Sequence, residues 1–326
     1  MVITMAHGSG GIMSAELFKS VFAPHFSNSI LNKMEDAAVF DLSGRLAFST
    51  DSYVVTPLVF SGGDIGKLSV CGTVNDLLMA GAEPRYISCG FILEEGLEIT
   101  LLEKIVRSMA DTARSAGVDI VAGDTKVIAG NGGLYINTSG IGLIPPGRDV
   151  GAANIREGDK VILSGGLGSH HASILSARME IENGIISDCA CLGDVTKALF
   201  DSGIAVRSMR DVTRGGLATI LNELAQASGC GIELSEHDIP LSDEVMAFCG
   251  ILGLDPLYMG NEGRMAIAVP PSEADKAVSL MRETENGKNA AIIGKAVNGS
   301  GVTLKTKIGG SRLLDSLYGE GLPRIC

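Results

Sequence analysis

Two consecutive prolines and a glycine, Pro145-Pro146-Gly147, divide this chain. Proline fixes φ and carries no backbone N–H, so neither a helix nor an interior strand runs through the pair. On both sides apolar runs alternate with amphipathic stretches. That pattern predicts an α/β (α+β) chain of two domains, 1–147 and 148–308, followed by a tail, 309–326. At 326 residues the chain also exceeds the span of one ordinary core.

In the first domain, residues 14–26 predict a helix with Leu17, Phe18, Val21 and Phe22 on one side. Residues 37–40 and 46–50 read as β-prone runs joined as a hairpin across 42–45. A helix over 64–80 and a strand over 84–93 follow. Residues 100–116 predict a helix with a Thr100/Glu103 capping box, an apolar stripe and Gly117 as its stop. Strands at 118–122 and 134–144 complete the unit. In the second domain a strand at 160–163 precedes a helix beginning near Ser169. A helix over 193–202, a strand over 205–209, a helix over 214–228 and a strand over 265–269 follow.

The net charge is −12 and the basic residues are scattered, which argues against a nucleic-acid groove. A polyanionic ligand would need a metal escort. No apolar run reaches membrane length and no leader is evident, and the seven cysteines contain no CxxC pair. A reducing cytoplasm is the expected setting. Cys189 and Cys191 are too close in sequence for a usual zinc pair. Neither GxxxxGK[ST] nor GxGxxG occurs, which disfavours the common P-loop and Rossmann nucleotide sites.

Several residues carry candidate chemistry. The run His7-Gly8-Ser9-Gly10-Gly11 ahead of a helix reads equally as a phosphate cradle of backbone N–H groups or as a flexible turn. Asp36 and Asp51 sit at strand ends, where acids commonly cap turns. Asp76 lies in a mostly apolar helix, and a buried carboxylate there needs a partner or a cation, which makes it the best single metal-ligand candidate. Asp124, Thr125 and Lys126 cluster at one strand end. In the turn 210–216, Asp211 or Thr213 reads as a helix N-cap, or Gly215 and Gly216 let a ligand approach the backbone. Glu262, between Asn261 and Gly263, is a turn acid or a positioned base. His170 and His171 point about 100° apart on a helix and read as surface or capping residues. In the tail, Gly319, Gly321 and Pro323 exclude helix beyond Leu317, so Cys326 ends either a mobile strap that carries a thiol between sites or an ordinary frayed end.

HGSGG at 7–11, STDSYVVTP at 49–57, GGDIGKLSVCGTVNDLLMAGAEPRY at 62–86, AGDTKV at 122–127, DVTRGGLA at 211–218, NEGR at 261–264 and the terminal PRIC together closely resemble the HypE family of hydrogenase maturation factors. That family belongs to the superfamily of aminoimidazole ribonucleotide synthetase and selenophosphate synthetase, and the likeness spans essentially the whole chain. It implies a PurM-like fold: an N-terminal domain that pairs with a second copy as a dimeric β-barrel, a C-terminal α/β domain, ATP between the domains, and a flexible tail. It further implies ATP-dependent dehydration of a carbamoyl group on the Cys326 thiol to a thiocyanate. The carbamoyl group would come from the carbamoyltransferase HypF, and the cyanide would pass to iron on a HypC–HypD complex. By the same resemblance Asp36, Asp51, Asp76 and Asp211 are Mg²⁺ ligands. Gly8, Ser9, Gly10, Gly11, Asn75, Asp124, Thr213 and Arg214 surround ATP. Glu262 is the general base and Lys126 stabilises developing phosphate charge, with the opposite division open. Two features stand apart: Ser169-His170-His171-Ala172 replaces an expected Asp-His-Gly, and the absence of an early Cys argues against selenium chemistry. Two competing readings are a superfamily enzyme acting on a free small molecule and a non-catalytic thiol carrier.

Overall fold

Gly10 and Gly11 take φ of 80° and 75°, which a side chain would resist, and swing the chain into α1 (Gly11–Leu17). The structure, a computed structural model, describes residues 1–317. A π-turn at Phe18–Phe22 and then α2 (Ala23–Phe26) continue the same apolar face, burying Leu17, Val21, Phe22 and Phe26.

The chain next lays down β1 (Arg45–Tyr53), a ribbon of β2 (Val59–Phe60) and β3 (Gly63–Asp64), α3 (Ile65–Met79), β4 (Glu83–Glu94), α4 (Ile99–Ala116), β5 (Asp119–Ile128) and β6 (Leu134–Ile144). The four long strands pair in the order β1-β6-β4-β5, antiparallel except for β4 and β5, whose parallel pairing requires the α4 crossover. Residues along β6 alternate strictly, with 134, 136, 138, 140, 142 and 144 buried against the helices. The opposite face of the sheet is only partly covered by the described residues, and leaves Phe48 69% and Leu46 43% exposed.

The expected hairpin does not form. Val39 is 75% exposed and Phe40 packs on the ring of Tyr86 at 4.4 Å, while β1 finds its partner in β6, with Phe48 opposite Ile141. Only that long-range pairing lets the inward side of β1 bury against α3. The expected capping box is also absent: α4 begins at Ile99 after Glu98, and Glu103 pairs with Arg107.

The second domain contributes β7 (Lys160–Leu163), α5 (Ser169–Arg178), α6 (Gly193–Asp201), β8 (Ser208–Asp211), α7 (Gly216–Ser228), β9 (Gly231–Ser235), α8 (Asp243–Leu252), β10 (Met265–Val269), α9 (Ala274–Arg282), β11 (Ala291–Val297), β12 (Val302–Lys305) and β13 (Ser311–Leu314). Its strands order as β13-β12-β9-β11-β7-β10-β8, and only β12 and β9 run parallel. The tail expected from residue 309 therefore starts later, because 311–314 add a strand to β12.

His170 and His171 are buried, at 0% and 2% exposure, rather than on the surface. α5 is sandwiched between the β2–β3 ribbon and α8, so both of its sides face protein. His170 Nδ1 meets Ser187 Oγ at 2.8 Å, and the ring stands edge-on to Phe60. The Gly260 N–H donates to His171 Nδ1 at 3.3 Å. Burial pushes His171 down to about 4.

One hydrophobic core crosses the domain boundary. α3 is buried on nearly all sides, and Leu68, Val70 and Val74 share a cluster with Ile162, Val195, Met209 and Met265. A helix apolar all round needs cover all round, which is what places α3 between the two domains.

Candidate active site

The pleat of β1 turns Ser49 and Asp51 toward α3, since alternate residues face the same side. Asp76, one residue beyond Asn75 on α3, meets them: Ser49 Oγ donates to Asp76 Oδ2 at 2.5 Å. From the other domain, Asp211 ends β8 opposite Met265 of β10. The next turn is zipped to the 261–264 loop by backbone bonds, Val212 N–H to Arg264 O at 2.8 Å and Asn261 N–H to Val212 O at 2.9 Å. This zipper fixes Glu262, only 5% exposed, in the same neighbourhood. The Glu262 N–H donates to Asp188 Oδ1 at 2.8 Å.

These carboxyls repel one another. Burial, then the charges of Asp76 and Asp51, push Asp211 up to about 7, with Arg210 opposing. Burial raises Asp76 as well, the Ser49 hydrogen bond opposes it, and Asp51 adds to it. Glu262 is held well above its ordinary value by burial first and then by Asp211, Asp188 and Asp51, with Arg214 the opposing charge. Acids in this state either hold protons or await a cation.

Among the described residues no three His, Cys, Asp or Glu side chains are arranged to hold a metal ion by themselves. The site nonetheless suits Mg²⁺. Crowded carboxylates would supply part of its ligand set, and this ion takes ligands from phosphate oxygens and water more readily than from an all-protein cage.

Other expected site residues lie elsewhere. Asp36 lines a cavity of about 450 Å³ together with Gly8, Gly10, Asp124 and Lys126, and is not among the charges acting on Asp76, Asp211 or Glu262. Phe18, Phe22, Phe91 and Ile120 form an apolar part of this cavity's wall. Lys126 Nζ contacts Asp124 Oδ2 at 2.8 Å, and that contact holds Asp124 below its ordinary value. Lys126 thus belongs to the glycine-loop cavity and Glu262 to the acid cluster, and within one chain no hydrogen bond or ion pair joins them among the described residues. Gly8 packs so closely on β5 that a Cβ would lie 2.7 Å from the Val127 backbone nitrogen. Ser9 Oγ donates to Met5 O, and Gly10 N–H donates to Ser14 Oγ.

Asn75 serves the domain seam. Its amide donates to Ala190 O at 3.0 Å and accepts from Leu192 N–H at 2.9 Å. Thr213 and Arg214 lie in the turn before α7, whose N-cap is Gly215 rather than Asp211 or Thr213. Gly216 is required by packing, because a Cβ there would sit 2.5 Å from Leu257 O. Cys326 falls outside the described residues. Sequence reasoning missed Ser49, Asp188 and the seam role of Asn75. Of these only Ser49 left a signal, two residues before Asp51 and hence on the same strand face.

Two family models match the chain, "AIR synthase related protein, N-terminal domain" over residues 34–144 and "AIR synthase related protein, C-terminal domain" over 156–307. The carbamoyl dehydratase HypE of Rhodobacter capsulatus is 48% identical, with 99% of this chain and 98% of the relative covered. The carbamoyl dehydratase HypE of Escherichia coli (strain K12) is 46% identical, with 99% of each covered. The chain belongs to the HypE family. A HypE crystal structure in complex with ATP superposes with a TM-score of 0.95 at 45% identity, covering 99% of both chains. HypE in a HypE–HypF complex superposes with a TM-score of 0.82 at 43% identity, covering 94% of this chain and all of that one. The HypE fold, two mixed α/β domains of the AIR synthase type, is therefore the fold of this chain. No helix among the described residues is long and apolar enough to cross a membrane.

Proposed function

We propose that this protein is an ATP-dependent carbamoyl dehydratase of hydrogenase maturation, converting a carbamoyl group on the Cys326 thiol to a thiocyanate. The observation that carries this reading is the cluster of Asp51, Asp76, Asp211 and Glu262, assembled from both domains, in which burial first and neighbouring acids second raise Asp76, Asp211 and Glu262. Family membership supplies the substrate class.

An amide oxygen is a poor leaving group. In the proposed reaction it attacks the γ-phosphorus of ATP, releasing ADP; the nitrogen then gives up its protons as phosphate departs with the oxygen, leaving –S–C≡N. Asp51, Asp76 and Asp211 would hold Mg²⁺, which would neutralise triphosphate charge in an otherwise repulsive site. Asp36 approaches from the glycine-loop side. The backbone of Gly8, Ser9, Gly10 and Gly11, with Asp124, Thr213 and Arg214, completes the nucleotide site while Asn75 holds the seam beside it, and the apolar wall of the glycine-loop cavity suits a base ring. Glu262, buried among acids, has the raised proton affinity a general base needs. Lys126 exchanges Asp124 for phosphate oxygen as negative charge develops there.

HypF as carbamoyl donor and a HypC–HypD complex as cyanide acceptor complete the route, in the cytoplasm. The exposed part of the outer face of the β1-β6-β4-β5 sheet, with Phe48 and Leu46 on it, is the surface for homodimerisation into a barrel. The test is mass spectrometry of the C-terminal peptide after incubation with HypF, carbamoyl phosphate and ATP. A carbamoyl adduct on Cys326 that then loses one water supports the reading. An adduct elsewhere, or one that ATP leaves unchanged, overturns it.

A further inference from the structure

Three thiols meet where the domains join. Cys189 and Cys191, on the loop before α6, both lie against Cys71 of α3. The Cys191 thiol donates to the Cys71 sulfur at 3.6 Å, and none of the six cysteines among the described residues is in a disulfide. Cys71 and Cys189 are buried. Cys191 is half-buried, and together with Cys71 it borders an open interdomain cleft of about 1280 Å³ walled by α3, α4 and α6.

The approach of the two sulfurs is built in. Asn75 stands one helical turn beyond Cys71 on the same face of α3. Its amide grips Ala190 O and Leu192 N–H, the residues on either side of Cys191. The helix that carries one thiol therefore holds the loop that carries the other. Closing the remaining gap to a bond of about 2.05 Å takes a side-chain adjustment of roughly 1.5 Å.

We propose that Cys71 and Cys191 are a reversible disulfide site that ties the two domains together under oxidising conditions. The oxidant is a low-molecular-weight disulfide, RSSR, admitted by the cleft. The Cys191 thiolate attacks one of its sulfurs, forming a mixed disulfide and expelling RS⁻. The Cys71 sulfur then attacks that of Cys191, forming the Cys71–Cys191 bond and expelling the second RS⁻. Two electrons pass from the protein thiols to RSSR, and the two thiol protons go to the expelled thiolates. Contact with Cys189 and Cys191, together with burial, holds the Cys71 thiol well above its ordinary value, so Cys191 takes the first step. The bond joins α3, which carries Asp76, to the loop whose Asp188 accepts from the Glu262 N–H. Oxidation thus fixes the two halves of the acid cluster relative to each other.

The experiment treats the full-length protein with oxidised glutathione and maps its peptides without reduction, with near-UV circular dichroism confirming a native fold. The expected result is a Cys71–Cys191 cross-linked peptide pair that disappears on adding dithiothreitol. It should persist in Cys189→Ser and be absent from Cys191→Ser. Glutathione retained on Cys191 with Cys71 free, a Cys71–Cys189 bridge, or no modification of either residue in natively folded protein would each overturn the proposal.

Discussion

Asp211→Asn tests the crowding of carboxyls directly, because the replacement keeps the shape and removes the charge. Asp211 is held from 3.8 up to about 7 in the folded chain. Between those values the unfolded chain has released its proton and the folded chain has not. Folding stability therefore falls as pH rises from about 4, and the whole penalty is present above about 7. A carboxyl moved from 3.8 to about 7 corresponds to a ceiling of about 4 kcal/mol. Asp211 keeps some contact with solvent, which brings the working expectation to about 2 kcal/mol. Urea unfolding in chelator, followed by far-UV circular dichroism, should show the variant and the parent nearly equal at about pH 3.5, where the carboxyl is largely protonated in both states. At pH 8.5 the variant should be the more stable by that amount. Mg²⁺ at pH 8.5 should raise the parent and leave the variant little changed. An equal stability difference at both pH values would refute the reasoning, since the gain would then come from something other than an unfavourable charge.

Gly72→Ala should destabilise the fold by about 1–3 kcal/mol, since its Cβ would stand 2.2 Å from the Tyr53 hydroxyl; an unchanged urea midpoint would count against the packing described. His171 is neutral because burial depresses it to about 4, so the stability this confers is present above about 6.5 and is lost as pH falls toward 4. His171→Gln should lose up to about 3 kcal/mol less than the parent between pH 7 and 4.5, and parallel unfolding curves would exclude that role.

Local chemistry was readable in the sequence, and relations between distant segments were not. The stripe of α4 and the strand β6 depend on neighbours within a few residues, so both emerged where expected. Asp76 stood out because a carboxylate in an apolar helix conflicts with its own surroundings. The hairpin before β1 failed because strand pairing was decided by Ile141, far along the chain, rather than by the turn at 42–45. His170 and His171 were misplaced for a similar reason, since the cover over α5 comes from α8 and from the β2–β3 ribbon. Asn75 reaches Leu192 across 117 positions, and Cys191 reaches Cys71 across 120; no periodicity within either segment marks such a meeting. Asp188 lies on an irregular stretch whose order is imposed by Glu262 from outside.

The last strand settles how far the chain's end can travel. β13 is held to β12 through Leu314 opposite Val302, and Arg312 is clamped to Asp255 at 2.7 Å. The twelve residues after Leu314 cannot span more than about 40 Å even when drawn straight. For the reaction proposed above, whatever loads, dehydrates or unloads Cys326 has to come within that radius of the edge of the second sheet. Inserting a few residues after Leu314 would change a loop-closure entropy by only tenths of a kcal/mol, whereas deleting as many would shorten that radius outright.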